Sequence, residues 1–178
     1  MKLVIGGAYQ GKLAYAQKQY QIQDGWIDGR DCGFEAIESC SGIHHFHDFV
    51  KRMLVGMTDD LVNESEKKYE QPGVQDSSGF DDNCVIKTCS EQASTDSPYQ
   101  FRIDHLANME QQAAKFVKRL SAQNPDIIIV SNELGCGVVP MDKKDRLWRE
   151  AVGRICTCIA AEADEVVRVV CGVGVRIK

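Results

Sequence analysis

The fold is decided by the opening residues Lys2-Leu3-Val4-Ile5-Gly6-Gly7-Ala8-Tyr9-Gln10-Gly11-Lys12-Leu13. The first four form a short apolar run, which predicts a strand, and two glycines end it. Residues 12–20 combine alanines and a leucine with glutamines and lysines, which suits a helix. A strand, a glycine-rich loop and a helix in that order predict the first unit of an α/β sheet.

The loop itself resembles a phosphate-binding loop. Residues 6–12 match the first seven positions of G-x-x-x-x-G-K-[ST], in which backbone N–H groups and a helix N-terminus hold phosphates and the lysine reaches the β- and γ-phosphates. Leu13 departs from this pattern, because it replaces the Ser or Thr whose hydroxyl binds Mg²⁺. We predict a nucleotide site made of Gly6, Gly7, Ala8, Tyr9, Gln10, Gly11, Lys12 and Leu13, with Lys12 as a catalytic residue. The alternative is that the glycines only permit a tight turn after the strand.

The rest of the chain alternates helical and strand patterns. Residues 126–130 end in a continuous apolar run, which is typical of a parallel strand buried on both faces. The stretch around Gly25, Gly29 and Gly33 has no clear period and is predicted to be irregular. The remaining predictions are helices over residues 43–57, 103–120 and 142–163, and strands over residues 165–171 and 173–177. An α/β fold follows, with a mostly parallel sheet flanked by helices and a C-terminal strand pair.

Composition indicates one domain spanning residues 1–178. The chain has 178 residues, 43% apolar and 26% charged, with a net charge of -5, which excludes collagen-like, disordered and membrane proteins. No run of 18 apolar residues and no signal-peptide core are found, so we expect a cytoplasmic protein without a membrane span. The acidic balance argues against nucleic acid as a partner. The eight cysteines are interpreted mostly as reduced thiols.

The acidic excess lies in one stretch. Residues 63–100 contain eight acidic and three basic residues and show no sustained period, which predicts a flexible acidic insertion. Cys84 and Cys89 lie within it and lack a second pair at zinc spacing, so we interpret them as loop thiols.

Segments in the second half of the chain resemble a known family. They are Ser131-Asn132-Glu133-Leu134-Gly135-Cys136-Gly137-Val138-Val139-Pro140, Arg146-Leu147-Trp148-Arg149, Ala163-Asp164-Glu165-Val166 and Gly172-Val173-Gly174-Val175-Arg176-Ile177-Lys178. In order and spacing, and together with the N-terminal loop, they resemble the adenosylcobinamide kinase/adenosylcobinamide-phosphate guanylyltransferase family. The resemblance covers residues 1–20 and 126–178 and is weak between them.

This resemblance implies a P-loop α/β enzyme of cobalamin biosynthesis. Such an enzyme phosphorylates adenosylcobinamide with ATP or GTP and Mg²⁺, then transfers GMP through a guanylylated histidine. It also implies a corrinoid small-molecule substrate and a homo-oligomer. Glu133 follows the buried strand, where it is a candidate catalytic residue and Mg²⁺ ligand. The alternative for Glu133 is a carboxylate that accepts hydrogen bonds from backbone N–H groups at a turn.

The chain also departs from the family pattern. The segment that carries the guanylylated histidine is not recognised, and the chain is interpreted as shortened after the first helix. His44, His45 and His47 are the remaining candidates for guanylylation, and a helix over 43–57 would place His44 and His47 on one face. The alternative is surface or partly packed histidines. Three functions therefore stay open: an active enzyme, a family member that binds nucleotide or corrinoid without turnover, and an unrelated P-loop interaction module.

Overall fold

The structure, a computed structural model, describes residues 1–33, 35–54 and 98–178, with the backbone alone for residues 98–108. The strands are β1 (Lys2–Gly6), β2 (Trp26–Asp28), β3 (Gly42–His44), β4 (Ile128–Asn132), β5 (Glu165–Val170) and β6 (Val173–Arg176). The helices are α1 (Lys12–Tyr20), α2 (residues 46–54 as described), α3 (Pro98–Gln123) and α4 (Lys143–Glu162), with a short 3-10 helix at Glu35–Glu38.

All six strands form one sheet in the order β2-β3-β4-β1-β5-β6. Every neighbouring pair is parallel except β5 and β6, which are antiparallel. The predicted α/β architecture with a mostly parallel sheet and a C-terminal strand pair is confirmed. The carboxyl ends of β1 and β4 lie side by side at the centre of the sheet, which is where open α/β sheets bind ligands.

Helices cover both faces of the sheet. Side chains alternate between the faces along each strand, so the aligned residues Ile43, Ile129, Leu3 and Val166 form one buried row against α2, α3 and α4. The opposite face packs its own row, which includes Val4 and Val130, against α1. The fully buried run at 127–130 confirms the strand that the sequence predicts as buried on both faces.

The predicted helix over 43–57 is wrong at its start. Gly42–His44 is the strand β3, and α2 begins at residue 46. Ile43 has the spacing of a helical residue, but its backbone is aligned with Ile129 of β4 and Ile27 of β2. His44 and His47 therefore do not share a helical face. Residues 55–57 lie outside the described part of the chain.

The stretch predicted as irregular contains β2 at Trp26–Asp28. The predicted irregular stretch therefore contains a strand, and this strand pairs in parallel with β3. Three residues are too few for a period to show, and pairing with a distant segment stabilises them instead.

Most of the predicted acidic insertion, residues 63–97, lies outside the described residues, as do Cys84 and Cys89. Its last three residues, 98–100, are the start of α3. Across the described ranges, no helix is both long enough and apolar enough to cross a bilayer.

Candidate functional site

The glycine-rich loop connects the carboxyl end of β1 to the N-terminus of α1. Gly11 has a left-handed backbone, with φ 76°, and caps α1 without a side-chain hydrogen bond. Tyr9 also has a positive φ, 59°, and its side chain is fully exposed. The first N–H groups of α1 have no intrahelical partner, and their positive field favours an anion. The loop therefore has the backbone layout of an anion site.

Lys12 is folded back across the loop. Its ammonium donates to the backbone carbonyl of Gly7 at 2.7 Å and to the side-chain oxygen Oδ1 of Asn132, at the end of β4, at 2.6 Å. Burial lowers the pKa of Lys12, and the negative charge of Glu133 partly opposes that shift. An ammonium has three N–H donors, so one is left for an oxygen of a bound anion.

The β5–β6 turn supports the loop from the other side. The N–H of Gly172 donates to the carbonyl of Gln10 at 2.9 Å, and the N–H of Cys171 donates to the side-chain oxygen of Gln10 at 2.5 Å. Gly6 approaches β5 so closely that an added Cβ would lie 2.3 Å from the carbonyl oxygen of Val169. Glycine is therefore required at this position if the loop and β5 are to stay in contact.

A cavity of about 400 Å³ opens above the loop. Its size lies within the range of small-molecule sites. Residues 8–14 form one wall, and the end of β4 at residues 130–132 forms the floor. The remaining wall carries polar side chains from the region after β2 and β3: Arg30, His44, His45, His47 and Asp48. The structure thus brings all three candidate histidines into the cavity that also contains Lys12.

Two of these histidines form a cluster with Asp28. The Nδ1 atoms of His44 and His45 lie 2.8 Å apart, and Nδ1 of His45 lies 3.1 Å from Oδ1 of Asp28. Arg30 donates to both carboxylate oxygens of Asp28, which lowers the pKa of that carboxyl well below its usual range. Burial lowers the pKa of His44, which favours its neutral imidazole.

His47 belongs to a different hydrogen-bond chain. Its Nε2 lies 2.8 Å from Nδ2 of Asn132. Because Oδ1 of Asn132 accepts from Lys12, Nδ2 is the donating end of the amide, and Nε2 of His47 accepts. Burial lowers the pKa of His47, in keeping with a neutral ring. Lys12, Asn132 and His47 are thereby connected through direct contacts.

Glu133 lies next to this cavity, beyond the residues that line it. Its backbone N–H donates to the carbonyl of Gly6 at 3.0 Å, and its carboxylate accepts from Arg168 at 3.1 Å and 3.2 Å. The side chain of Leu13 offers no oxygen to a cation. Of the two positions that the sequence analysis considers for Mg²⁺, only the Glu133 carboxylate offers oxygens, and its Oε2 is already paired with Arg168.

Several residues of this site carry no motif that the sequence analysis detects. Asp28, Arg30 and Asp48 are examples. The available signal is the apolar pair Trp26-Ile27, which is followed by an acidic residue and a glycine, as at the end of a parallel strand. Without β2 in the prediction, nothing connects Asp28 with His45, which follows 17 residues later.

The fold and the site together define a class of protein. It is an α/β protein with a glycine-rich strand–loop–helix turn, and a lysine is folded over a cavity at the carboxyl edge of a mostly parallel sheet.

The sequence model of the cobinamide kinase / cobinamide phosphate guanyltransferase family matches residues 67–177, and the chain belongs to this family. This confirms the resemblance drawn from the sequence motifs. The matched range begins after the glycine-rich loop and after the three histidines of the cavity.

Two curated relatives are similar over a shorter segment. The bifunctional adenosylcobalamin biosynthesis protein CobU of Salmonella typhimurium strain LT2 is 46% identical over 52 residues, and the protein of the same name from Escherichia coli K12 is 44% identical over 52 residues. In both cases the segment covers 29% of this chain and 29% of the relative's own length.

Proposed function

We propose that this protein transfers the γ-phosphate of ATP or GTP to the hydroxyl of adenosylcobinamide, in cobalamin biosynthesis. The observation that carries the proposal is Lys12, which is folded over the glycine-rich loop and hydrogen-bonded to Asn132 inside the cavity. Family membership supplies the class of substrate, and both curated relatives are adenosylcobalamin biosynthesis proteins by name.

In the proposed step the hydroxyl oxygen of the corrinoid forms a bond to the γ-phosphorus. The bond between that phosphorus and the β,γ-bridging oxygen breaks, the nucleoside diphosphate leaves, and the hydroxyl proton passes to water. Catalysis of this kind depends on positioning and on stabilising charge. Lys12 and the loop N–H groups do both, because they hold the phosphates and offset the negative charge that develops on them. Mg²⁺ supplied with the nucleotide would offset further phosphate charge, and Glu133 is the nearby carboxylate that could contribute to holding it.

Guanylyl transfer is a second candidate activity, and one observation favours His45 for it. Its Nδ1 faces Oδ1 of Asp28, whereas its Nε2 has no hydrogen-bond partner among the residues that the structure describes. A carboxylate on Nδ1–H orients the ring and leaves the lone pair on Nε2 to attack a phosphorus. Nε2 would bond to the α-phosphorus of GTP as pyrophosphate leaves, and the phosphate of the corrinoid would then displace the histidine. In His47, by contrast, Nε2 is occupied by Asn132.

The test is to incubate the purified protein with adenosylcobinamide, Mg²⁺ and ATP or GTP, and to follow the mass of the corrinoid. A gain of one phosphate supports the kinase, and a further gain of GMP supports the transfer. If the corrinoid mass does not change while nucleotide binding is retained, the enzyme proposal is wrong and a binding protein remains.

A matched pair of variants tests the site. Lys12→Ala removes a charged donor to the phosphates, so we expect nucleotide affinity to fall about tenfold to a hundredfold. Lys18→Ala, near the other end of α1, is the control and should bind as the wild type does. Calorimetric titration with ATP and GTP measures both. Equal affinities for the two variants would remove Lys12 from the site.

A further inference from the structure

We propose that Asp28, His44 and His45 form a binding site for a divalent transition-metal cation in the wall of the cavity, with Zn²⁺ as the representative ion. One ligand atom from each residue contributes, and these three atoms all lie within 4.8 Å of one another. Cation binding does not depend on the proposed function, because all three ligand atoms belong to the protein itself.

The distances suit a shared cation. Zinc lies about 2.0–2.2 Å from nitrogen and oxygen ligands, so two ligand atoms that subtend an angle between 90° and the tetrahedral angle are about 2.8–3.6 Å apart. The separations here are 2.8 Å between the two Nδ1 atoms, 3.1 Å from Nδ1 of His45 to Oδ1 of Asp28, and 3.9 Å from Nδ1 of His44 to Oδ2 of Asp28. The two carboxylate separations involve different oxygens of Asp28, so the carboxylate would have to rotate toward His44 to place one atom of each residue around one ion.

The chain bends in an unusual way to bring the two imidazoles together. Consecutive residues of an extended strand point to opposite faces, so His44 and His45 would diverge if β3 continued. His45 instead has φ 52°, a left-handed backbone conformation that is uncommon outside glycine. Such conformations concentrate at functional sites, where the surrounding structure holds them.

The surrounding contacts hold this arrangement in place. The N–H of Gly29 donates to the carbonyl of His44 at 2.8 Å, and a Cβ on Gly29 would lie 2.4 Å from the carbonyl oxygen of His45. The ends of β2 and β3 are therefore in close contact beside the cluster. Arg30 donates a 2.6 Å hydrogen bond to Oδ2 of Asp28. Residues that hydrogen-bond to metal ligands in this way fix the orientation of those ligands.

The ligand set defines the class of cation. Two imidazoles and one carboxylate suit zinc and other divalent transition metals better than Mg²⁺ or Ca²⁺, which prefer oxygen ligands. Three protein ligands leave a fourth coordination position for water or for an oxygen of a bound ligand. His44 and His45 line the same cavity as Lys12, so that position is accessible from the cavity.

Metal binding also has a consequence for the second candidate activity, which rests on the proposed function. A cation on Nδ1 of His45 leaves Nε2 protonated, and a protonated nitrogen cannot attack phosphorus. Zn²⁺ and guanylylation of His45 would therefore exclude each other.

The test is a titration of the full-length, reduced protein with Co²⁺ in the absence of nucleotide, followed by competition with Zn²⁺. Visible absorption reports the coordination of Co²⁺, and thiolate charge-transfer bands reveal any binding to the eight cysteines. We expect a one-to-one complex without thiolate bands. His44→Ala and Asp28→Asn should each weaken it about tenfold or more. The control variant His105→Ala, at the remaining histidine, should bind as the wild type does.

A second measurement uses only the wild-type protein, so it remains valid if a variant fails to fold. Histidine ring nitrogens of the wild type are followed by NMR as Zn²⁺ is added, and the Nδ1 signals of His44 and His45 should shift while those of His47 do not. The proposal is overturned if Co²⁺ binds only through thiolates, if the His44 and His105 variants bind equally, or if the rings of His44 and His45 are unaffected. None of these results bears on phosphorylation of the corrinoid.

Discussion

Gly6→Ala should destabilise the protein strongly, because β1 and β5 approach each other at this residue. An added Cβ would lie 2.3 Å from the carbonyl oxygen of Val169 and 3.3 Å from its carbonyl carbon. These are backbone atoms of β5, which is paired with β1, so they cannot move without disturbing that pairing. Gly6 also has φ 155°, a backbone conformation that residues with a side chain rarely adopt.

The expected magnitude follows from these two effects. A residue held in a sparsely populated backbone region and an overpacked contact each cost about 1–3 kcal/mol. We take the combined cost as about 3 kcal/mol, since a shift that relieves one partly relieves the other. For a chain of this size that corresponds to a fall in Tm of about 6–12 °C.

Gly7→Ala is the matched control in the same loop. A Cβ on Gly7 would meet only Cγ of Gln10, at 3.6 Å, which is an ordinary contact. Thermal unfolding followed by circular dichroism compares the two variants with the wild type. If the two variants have equal Tm values, or if Gly6→Ala unfolds at the temperature of the wild type, the reasoning from close approach to β5 is refuted.

Two further predictions concern stability. Asp142→Ala removes the N-cap of α4, whose carboxylate accepts from two backbone N–H groups, so the free energy of unfolding should fall by about 1 kcal/mol in urea titrations. An unchanged value would show that water replaces the cap fully. Burial lowers the pKa of His47 in the folded protein from its ordinary value of 6.5. As the pH falls through 6.5, His47 of the unfolded chain therefore binds a proton before His47 of the folded chain does, and the free energy of unfolding decreases over that pH range. In His47→Gln this loss between neutral and mildly acidic pH should be smaller; an equal loss would assign the pH dependence to other groups.

The sequence is sufficient for the parts of the fold whose signals are local. β1, α1 and the glycine-rich loop follow from residues 2–20, and the buried strand at 128–132 follows from its continuous apolar run. The helix at 143–162 and the antiparallel pair after it also appear at the predicted places. In each of these elements, periodicity, turn residues and burial agree within one short segment.

The short strands β2 and β3 depend on tertiary structure. Each has three residues, and neither carries a period that separates strand from helix. β3 forms because Gly42 and Ile43 are aligned with Ile128 and Ile129, which lie more than 80 residues further along the chain. Hydrogen bonds to a distant strand override the local helical spacing of Ile43.

Part of the candidate site can likewise be found from the sequence, and part depends on the tertiary structure. The motif at residues 6–12 and the family resemblance could be found in the sequence by itself, because both depend on residue order. The cluster of Asp28, His44 and His45 could not be found in this way, since it depends on the pairing of β2 with β3 and on the positive φ of His45. Only the folded chain brings a carboxylate and an imidazole 17 residues apart to 3.1 Å, because that distance is set by the sheet and not by sequence spacing.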